Sequence, residues 1–205
     1  MKKNIIKNII FDLGGVLIDW NPKHVYLDVF DGDKQKMNWF LDNICTEEWN
    51  LNQDAGYSIE KATNELIYLF PKYEYYIKIY YERWEEMLKG KIDESVYILN
   101  KLIPNYKVFA LTNWSSETFP IALKKFKFLK SFLDIIVSGE EKIRKPDPKI
   151  FKLAIDRFNI KVNETIFIDD NTQNIKSAKK IGFITHHFQN PKKLIMDLKN
   201  KNIKI

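Results

Sequence analysis

Four places along the chain carry residue types able to do joint chemistry. Asp12 ends an apolar run and is followed by Leu13, Gly14 and Gly15; Thr112-Asn113 ends a second run, and Asp169-Asp170 a third. Lys145 lies in a loop, RKPDP, between the last two. Three carboxylates held together repel one another and raise one another's pKa, which a divalent cation relieves. Hard oxygen donors without a histidine cluster favour Mg²⁺ over zinc. The octahedron of a bound Mg²⁺ has room for a phosphate oxygen. Lys145 would add a second positive charge and Thr112 a hydroxyl donor, and Gly14 and Gly15 let backbone amides approach an anion. One carboxylate would then be free to attack phosphorus and form an aspartyl-phosphate.

These residues work together only if the fold gathers them. Residues 5–12 form an apolar, β-branched run of the kind that occupies the buried middle of a parallel sheet. Residues 106–112, 133–138 and 165–168 have the same character, and 183–188 a weaker version. Helical spacing fills the gaps at 94–102, at 148–158 behind Pro148, and at 172–181 ahead of Gly182. Strands alternating with helices predict an α/β fold, a doubly wound parallel sheet. Ligands in such sheets bind at the carboxyl ends of the strands, where Asp12, Thr112, Asn113, Asp169 and Asp170 would lie.

Residues 21–91 break the alternation. They are rich in Trp, Tyr, Phe and Leu at helical spacing and hold no good strand. One helix is expected over 58–70 with Ser58 as N-cap, and another over 73–88 after Pro71. The expected organisation is a Rossmann-like core, 1–20 and 92–205, with an inserted helical cap, 21–91. The basic tail, 192–205, reads as a last surface helix with a frayed end.

At 205 residues the chain is long enough to fold without staples. Hydrophobic residues at 45% and charged residues at 29% exclude disorder as its main theme. A single cysteine, Cys45, excludes an intrachain disulfide and a multi-cysteine zinc site. No apolar run is long enough to span a bilayer. The N-terminus, MKKNIIKNIIFDLGG, is interrupted by Lys7, Asn8 and Asp12 and lacks a small-residue cleavage site, so a cytoplasmic protein is expected. The net charge of +6 comes from scattered rather than clustered lysines, so nucleic acid is not an expected partner. A homo-oligomer is compatible with all of this.

FDLGGVLID (11–19), LTNWS (111–115), RKPDP (144–148) and IFIDDN (166–171) together resemble the four motifs of the haloacid dehalogenase-like hydrolase superfamily, in order and across almost the whole chain. The insertion resembles that family's helical cap of the first type. The resemblance implies Asp12 as nucleophile and Mg²⁺ ligand. It implies the Gly14 carbonyl and Asp170 as further ligands, with Asp169 a neighbouring metal-site carboxylate. Thr112, Asn113 and Lys145 would hold the phosphoryl group of a small phosphorylated metabolite. In capped members the cap closes over the site and chooses the substrate; Trp20, Trp49 and Trp114 are candidates for its mouth. His186 and His187 have no role in the pattern.

One departure bears on mechanism. Most phosphatases of this family carry a second Asp two residues after the nucleophile as general acid and base; here that position is Gly14. Asp19 and His24 are candidate substitutes by proximity in sequence. A sugar-phosphatase-like subgroup shares the Asp-Leu-Gly pattern. Two rivals remain: a metal-free 2-haloacid dehalogenase using the same Asp12, against which Asp169-Asp170 argues, and a catalytically weak phosphate-binding or regulatory protein.

Overall fold

The computed structural model describes residues 6–205, so Ile5, expected to begin the first strand, lies outside the described residues. Strands β1 (Asn8–Phe11), β4 (Lys107–Thr112), β5 (Ile135–Val137), β6 (Thr165–Asp169) and β7 (Ile184–His187) form one parallel sheet in the order β5-β4-β1-β6-β7. A short antiparallel ribbon pairs β2 (Ile18–Trp20) with β3 (Leu88–Lys91). This is the doubly wound α/β sheet that the apolar runs predict. Its strands are short of β-turn chemistry and need long crossovers, which the helices supply.

Both faces of the sheet are buried, which is why its strands read as continuous apolar runs. Ile9 and Phe11 point into one core with Val108, Ala110, Ile166 and Ile168; Ile10 points into the other with Phe109, Leu111 and Phe167. In chain order the helices are α1 (Lys23–Val29), α2 (Lys34–Asn43), α3 (Glu47–Asp54), α4 (Ile59–Leu69), α5 (Glu74–Glu82), α6 (Asp93–Leu102), α7 (Phe119–Lys125), α8 (Ser138–Glu141), α9 (Pro148–Phe158), α10 (Thr172–Ile181) and α11 (Pro191–Asn200). Val96, Leu99, Leu102, Leu194 and Leu198 bring α6 and α11 to the first core. Ile150, Phe151, Ala154, Phe158 and Ala178 bring α9 and α10 to the second.

Local chemistry sets the helix ends. Asp147 caps α9 through Lys149 N–H, with Pro148 at the first turn. Asn171 caps α10, and Gly182 stops it at φ 110°. Ser58 caps α4 as expected.

Helices α1 to α5 lie between β2 and β3 in the chain. Their interior is aromatic: Tyr26 packs on Phe40 at 5.1 Å between ring centroids, and Phe30 stacks on Tyr76 at 4.9 Å. Such pairs add about 0.5–1.5 kcal/mol each beyond the area they bury. The insertion rests on the sheet domain through the end of α3. Ser138 Oγ donates to the Asp54 carbonyl at 2.5 Å, and Ile59 N–H donates to Glu117 Oε1 at 2.9 Å. Gly56 (φ 89°) allows this approach, since a Cβ there would fall 2.9 Å from the Gly139 carbonyl oxygen.

Three details differ from the expectations. Residues 88–91 (LKGK) form a strand inside the segment expected to hold none; they lack β-branched residues and are extended by pairing with β2, not by propensity. The helix expected over 73–88 is α5 followed by a turn of 3₁₀ helix, Trp84–Met87. The C-terminal segment does form a last helix, α11, but it is packed rather than frayed: Leu194, Leu198 and Ile203 are buried, and Lys204 N–H donates to the Tyr106 hydroxyl.

Candidate active site

The register of the sheet gathers the site. Phe11 is level with Ala110 on one side and Ile168 on the other, so the next residues out, Asp12 and Asp169, are neighbours, with Thr112 just beyond on β4. β1 is also where the winding reverses, the place where open α/β sheets form their ligand crevice. One oxygen each from Asp12, Asp169 and Asp170 lie within 4.8 Å of one another.

Lys145 joins two of them. Its ammonium, 1% exposed, is 2.9 Å from Asp12 Oδ2 and 2.7 Å from Asp169 Oδ2. Burial works against the charged amine, but the two carboxylates outweigh it and hold its pKa above the ordinary lysine value. For Asp12 burial wins: its carboxyl is pushed well above the usual range despite Lys145, with Asp169 and Asp170 adding to the rise. Asp170 is at the open mouth, and desolvation by the site's walls together with Asp169 raises it too.

The structure refines three of the expected roles. Asp169 accepts from Asn171 N–H at 2.8 Å, from Asn174 Nδ2 at 3.1 Å on both oxygens, and from Lys145. A carboxylate offers about four lone-pair sites, so Asp169 is committed to protein donors and holds Lys145 in place. Asn113 clamps the main chain of Lys145, donating to its carbonyl at 2.9 Å and accepting from its N–H at 2.8 Å. Its amide keeps one N–H for a ligand. Thr112 is buried, and its hydroxyl has no partner within the protein. A buried orphan hydroxyl at the end of β4 suits an anionic oxygen.

Gly15 has φ 71°, and a Cβ there would lie 2.2 Å from Asp170 Oδ2. Only glycine lets the loop after β1 pass so close to that carboxylate. Gly14 lies in open space. For a cation, the donor set fits Mg²⁺: Asp12 accepts from Leu13 N–H at 2.7 Å and from Lys145, which leaves further lone pairs on its oxygens, and with Asp170 and the adjoining Gly14 main chain it offers only hard oxygen donors.

Above these residues opens a cleft of about 420 Å³, walled by Asp12, Gly14, Asn113 and Asp170 from the sheet domain and by Glu47, Asn50 and Asp54 from α3. A recess of about 50 Å³ off it is lined by Gly14, Trp20, Asn50, Asp54, Trp84, Asn113 and Trp114. Trp20 and Trp114 are thus at the site; their indole N–H groups are buried without partners. Trp49 is not. It packs edge-on against Tyr80 and donates to the Ala62 carbonyl. A further cavity of about 570 Å³, within the insertion, shares Trp20, Glu47 and Leu51 with the cleft but contains none of the reactive groups.

Asp19 and His24 pair with each other at 2.9 Å and do not line the cleft. His187 Nε2 donates to the Asp170 carbonyl at 2.9 Å, and His186 pairs with Asp197. Cys45 is buried and its thiol pushed up by burial, which leaves it unreactive. Sequence reasoning missed Asn50, Asp54 and Asn174; the only signal was the Asp-Ala-Gly turn at 54–56, which carries no chemistry by itself.

The sequence profile of the haloacid dehalogenase-like hydrolases matches residues 9–188. The chain belongs to that family. Within it, the chain is 28% identical over 201 residues to a D-ribitol-5-phosphate phosphatase of Bacteroides thetaiotaomicron, covering 91% of this chain and 93% of that one. It is 40% identical over 81 residues to (S)-2-haloacid dehalogenase 4A of Burkholderia cepacia, a match to 39% of this chain and 35% of that enzyme. A family enzyme of B. thetaiotaomicron solved with magnesium and inorganic phosphate superposes with a TM-score of 0.65 at 26% identity, covering 90% of this chain and 94% of that one. The family makes this protein a hydrolase. Among the described residues no helix is long and apolar enough to cross a membrane.

Proposed function

We propose that this hydrolase is a Mg²⁺-dependent phosphatase of a small phosphorylated metabolite, of the sugar- or polyol-phosphate class, acting in the cytoplasm. The observation that carries the reading is the cluster of Asp12, Asp169 and Asp170 at the strand ends, with the buried Lys145 ammonium bridging Asp12 and Asp169 and a partnerless Thr112 hydroxyl at the end of β4: carboxylate oxygens for a cation, and an ammonium and a hydroxyl for an anion. Similarity over nine-tenths of the chain to a polyol-phosphate phosphatase supports it.

Asp12 and Asp170, with the Gly14 carbonyl, would hold Mg²⁺, which supplies charge neutralisation on the phosphoryl oxygens. Lys145 and Thr112 bind and orient the same oxygens, and the remaining N–H of Asn113 adds a donor. An Asp12 carboxylate oxygen attacks phosphorus in line, and water then hydrolyses the aspartyl-phosphate. Asp169 fixes Lys145, and Asn174 fixes Asp169. The helical insertion acts as the cap, with α3 supplying the wall that meets the leaving group.

A second reading, 2-haloacid dehalogenase, has the local 40% identity in its favour. Three clustered carboxylates argue against it, since displacement of halide by Asp12 has no use for a cation site. A screen of phosphorylated polyols and sugars beside 2-chloro acids, with and without Mg²⁺, separates the two. Mg²⁺-dependent phosphate release is expected; metal-independent halide release without phosphatase activity would overturn the proposal.

A further inference from the structure

Phosphate ester hydrolysis leaves an alkoxide that needs a proton, and Gly14 cannot give one. The position two residues after Asp12 has nothing within 4 Å of where a side chain would begin. Asp19 and His24 pair with each other and do not line the cleft. Two other carboxylates wall the cleft, Glu47 and Asp54, and of the two Asp54 also lines the recess beside Gly14. Asp54, the last residue of α3, walls the cleft shared with Asp12 and Asp170 and also the small recess shared with Gly14. It is thus a carboxylate of the insertion that borders the same cleft as Asp12.

Its placement is fixed at several points. The Asp54 carbonyl accepts from Ser138 Oγ at 2.5 Å, which ties the end of α3 to the sheet domain. Its carboxyl accepts from Asn50 Nδ2 at 3.2 Å and from the main-chain N–H of Ser115. The titratable and charged groups around it are Glu47 on its own helix, Tyr80 and Tyr81 on α5, Arg144 and Lys145 in the loop before α9, and Asp12 and Asp170 across the cleft. Burial prevails over the Ser115 hydrogen bond and the two cations, and the carboxyl is pushed up to about 7. A group that holds and releases a proton near neutrality suits both halves of a two-step hydrolysis.

We propose that Asp54 is the general acid and base of this enzyme, taking from the insertion the role that Gly14 leaves empty in the sheet domain. The proposal rests on the phosphatase reading above. In the first step an Asp12 oxygen forms a bond to phosphorus while the ester P–O bond breaks; its electron pair stays on the leaving oxygen, which takes the Asp54 proton and departs as alcohol. In the second step Asp54, now a carboxylate, takes one proton from water as the water oxygen bonds to phosphorus. The bond between phosphorus and Asp12 breaks with its pair returning to Asp12. Inorganic phosphate leaves, and Asp54 is again protonated.

The test is rapid-quench kinetics on a series of aryl and primary alkyl monophosphates with saturating Mg²⁺, comparing the wild-type chain with Asp54→Asn. In the variant, first-turnover release of alcohol from alkyl phosphates should fall by about 10²–10⁴-fold. First-turnover release of a good aryl leaving group should change little, and the phosphoryl group should then accumulate on Asp12, because water lacks its base. That aryl burst also shows that the variant is folded. Unchanged alkyl rates, or equal losses for both classes, would overturn the proposal while leaving the phosphatase reading intact. Should the variant not fold, the wild-type series decides: a shallow dependence on leaving-group pKa supports an acid in place, and a steep fall contradicts it. A wild-type chain that hydrolyses none of the series overturns both the phosphatase reading and this one.

Discussion

The Lys145 ammonium stands 2.9 Å from Asp12 Oδ2, and both groups are buried. The buried cation opposes the effect of burial on the Asp12 carboxyl without cancelling it, and in the proposed reaction it would place a positive charge beside the oxygens of a transferring phosphoryl group.

Removing that cation should cost both stability and activity. Lys145→Met leaves Asp12 and Asp169 buried without their partner, worth about 3–5 kcal/mol of destabilisation near neutrality. The deficit should shrink as pH falls, because the stranded carboxylates take up protons and no longer need a counter-charge. Denaturant melts of the two proteins at pH 7 and pH 5 check both the size and the sign; a deficit that grows on acidification would contradict the pairing.

Gly15 and Gly14 should behave differently although they are adjacent. Gly15→Ala forces a side chain into left-handed backbone, about 1–3 kcal/mol of strain, and onto Asp170 Oδ2 at 2.2 Å. Loss of stability and a higher Mg²⁺ requirement are expected. Gly14→Ala meets open space and should leave the melting temperature nearly unchanged. Equal effects of the two substitutions would mean that the loop after β1 does not hold Asp170 as described.

The sheet and the surroundings of Asp12 were legible in the sequence for one physical reason. Strands buried on both faces must be continuously apolar, so polar residues at their ends mark the ligand side directly. Asp12, Thr112 and Asp169 are of this kind. Asp54 was not legible, because its importance comes from how α3 docks on α8 through Ser138, a contact between residues 84 positions apart. Asn113 and Asp169 were expected to contact ligand, yet most of their hydrogen bonds go to the protein, since spacing cannot say which hydrogen bonds are already made. Residues 88–91 were missed as a strand because only their partner, β2, extends them.

Asp54 should carry a measurable stability cost that follows pH. In the unfolded chain it ionises in the ordinary aspartate range, while in the folded chain burial pushes it up to about 7. The cost is therefore absent below the ordinary range, grows as pH rises through that interval, and is constant above about 7. Asp54→Asn should stabilise the protein by about 1–3 kcal/mol at pH 8, after allowance for partial exposure, with the gain fading by pH 4. A variant less stable than wild type at pH 8 would show that the carboxylate is held by favourable contacts rather than strained by burial. Stability gained at the expense of turnover is the usual signature of a functional group.

Covalent capture of the phosphoryl group tests the central claim most directly. The protein is mixed with Mg²⁺ and an aryl phosphate, quenched in acid within the first turnover, digested, and mapped by peptide mass spectrometry. The account predicts a phosphoryl group on Asp12, absent without Mg²⁺ and absent in Asp12→Asn, which should also release no phosphate above a mock preparation. Phosphate release by the wild-type chain with no phosphoryl group trapped on Asp12, or persistent turnover by Asp12→Asn, would contradict it.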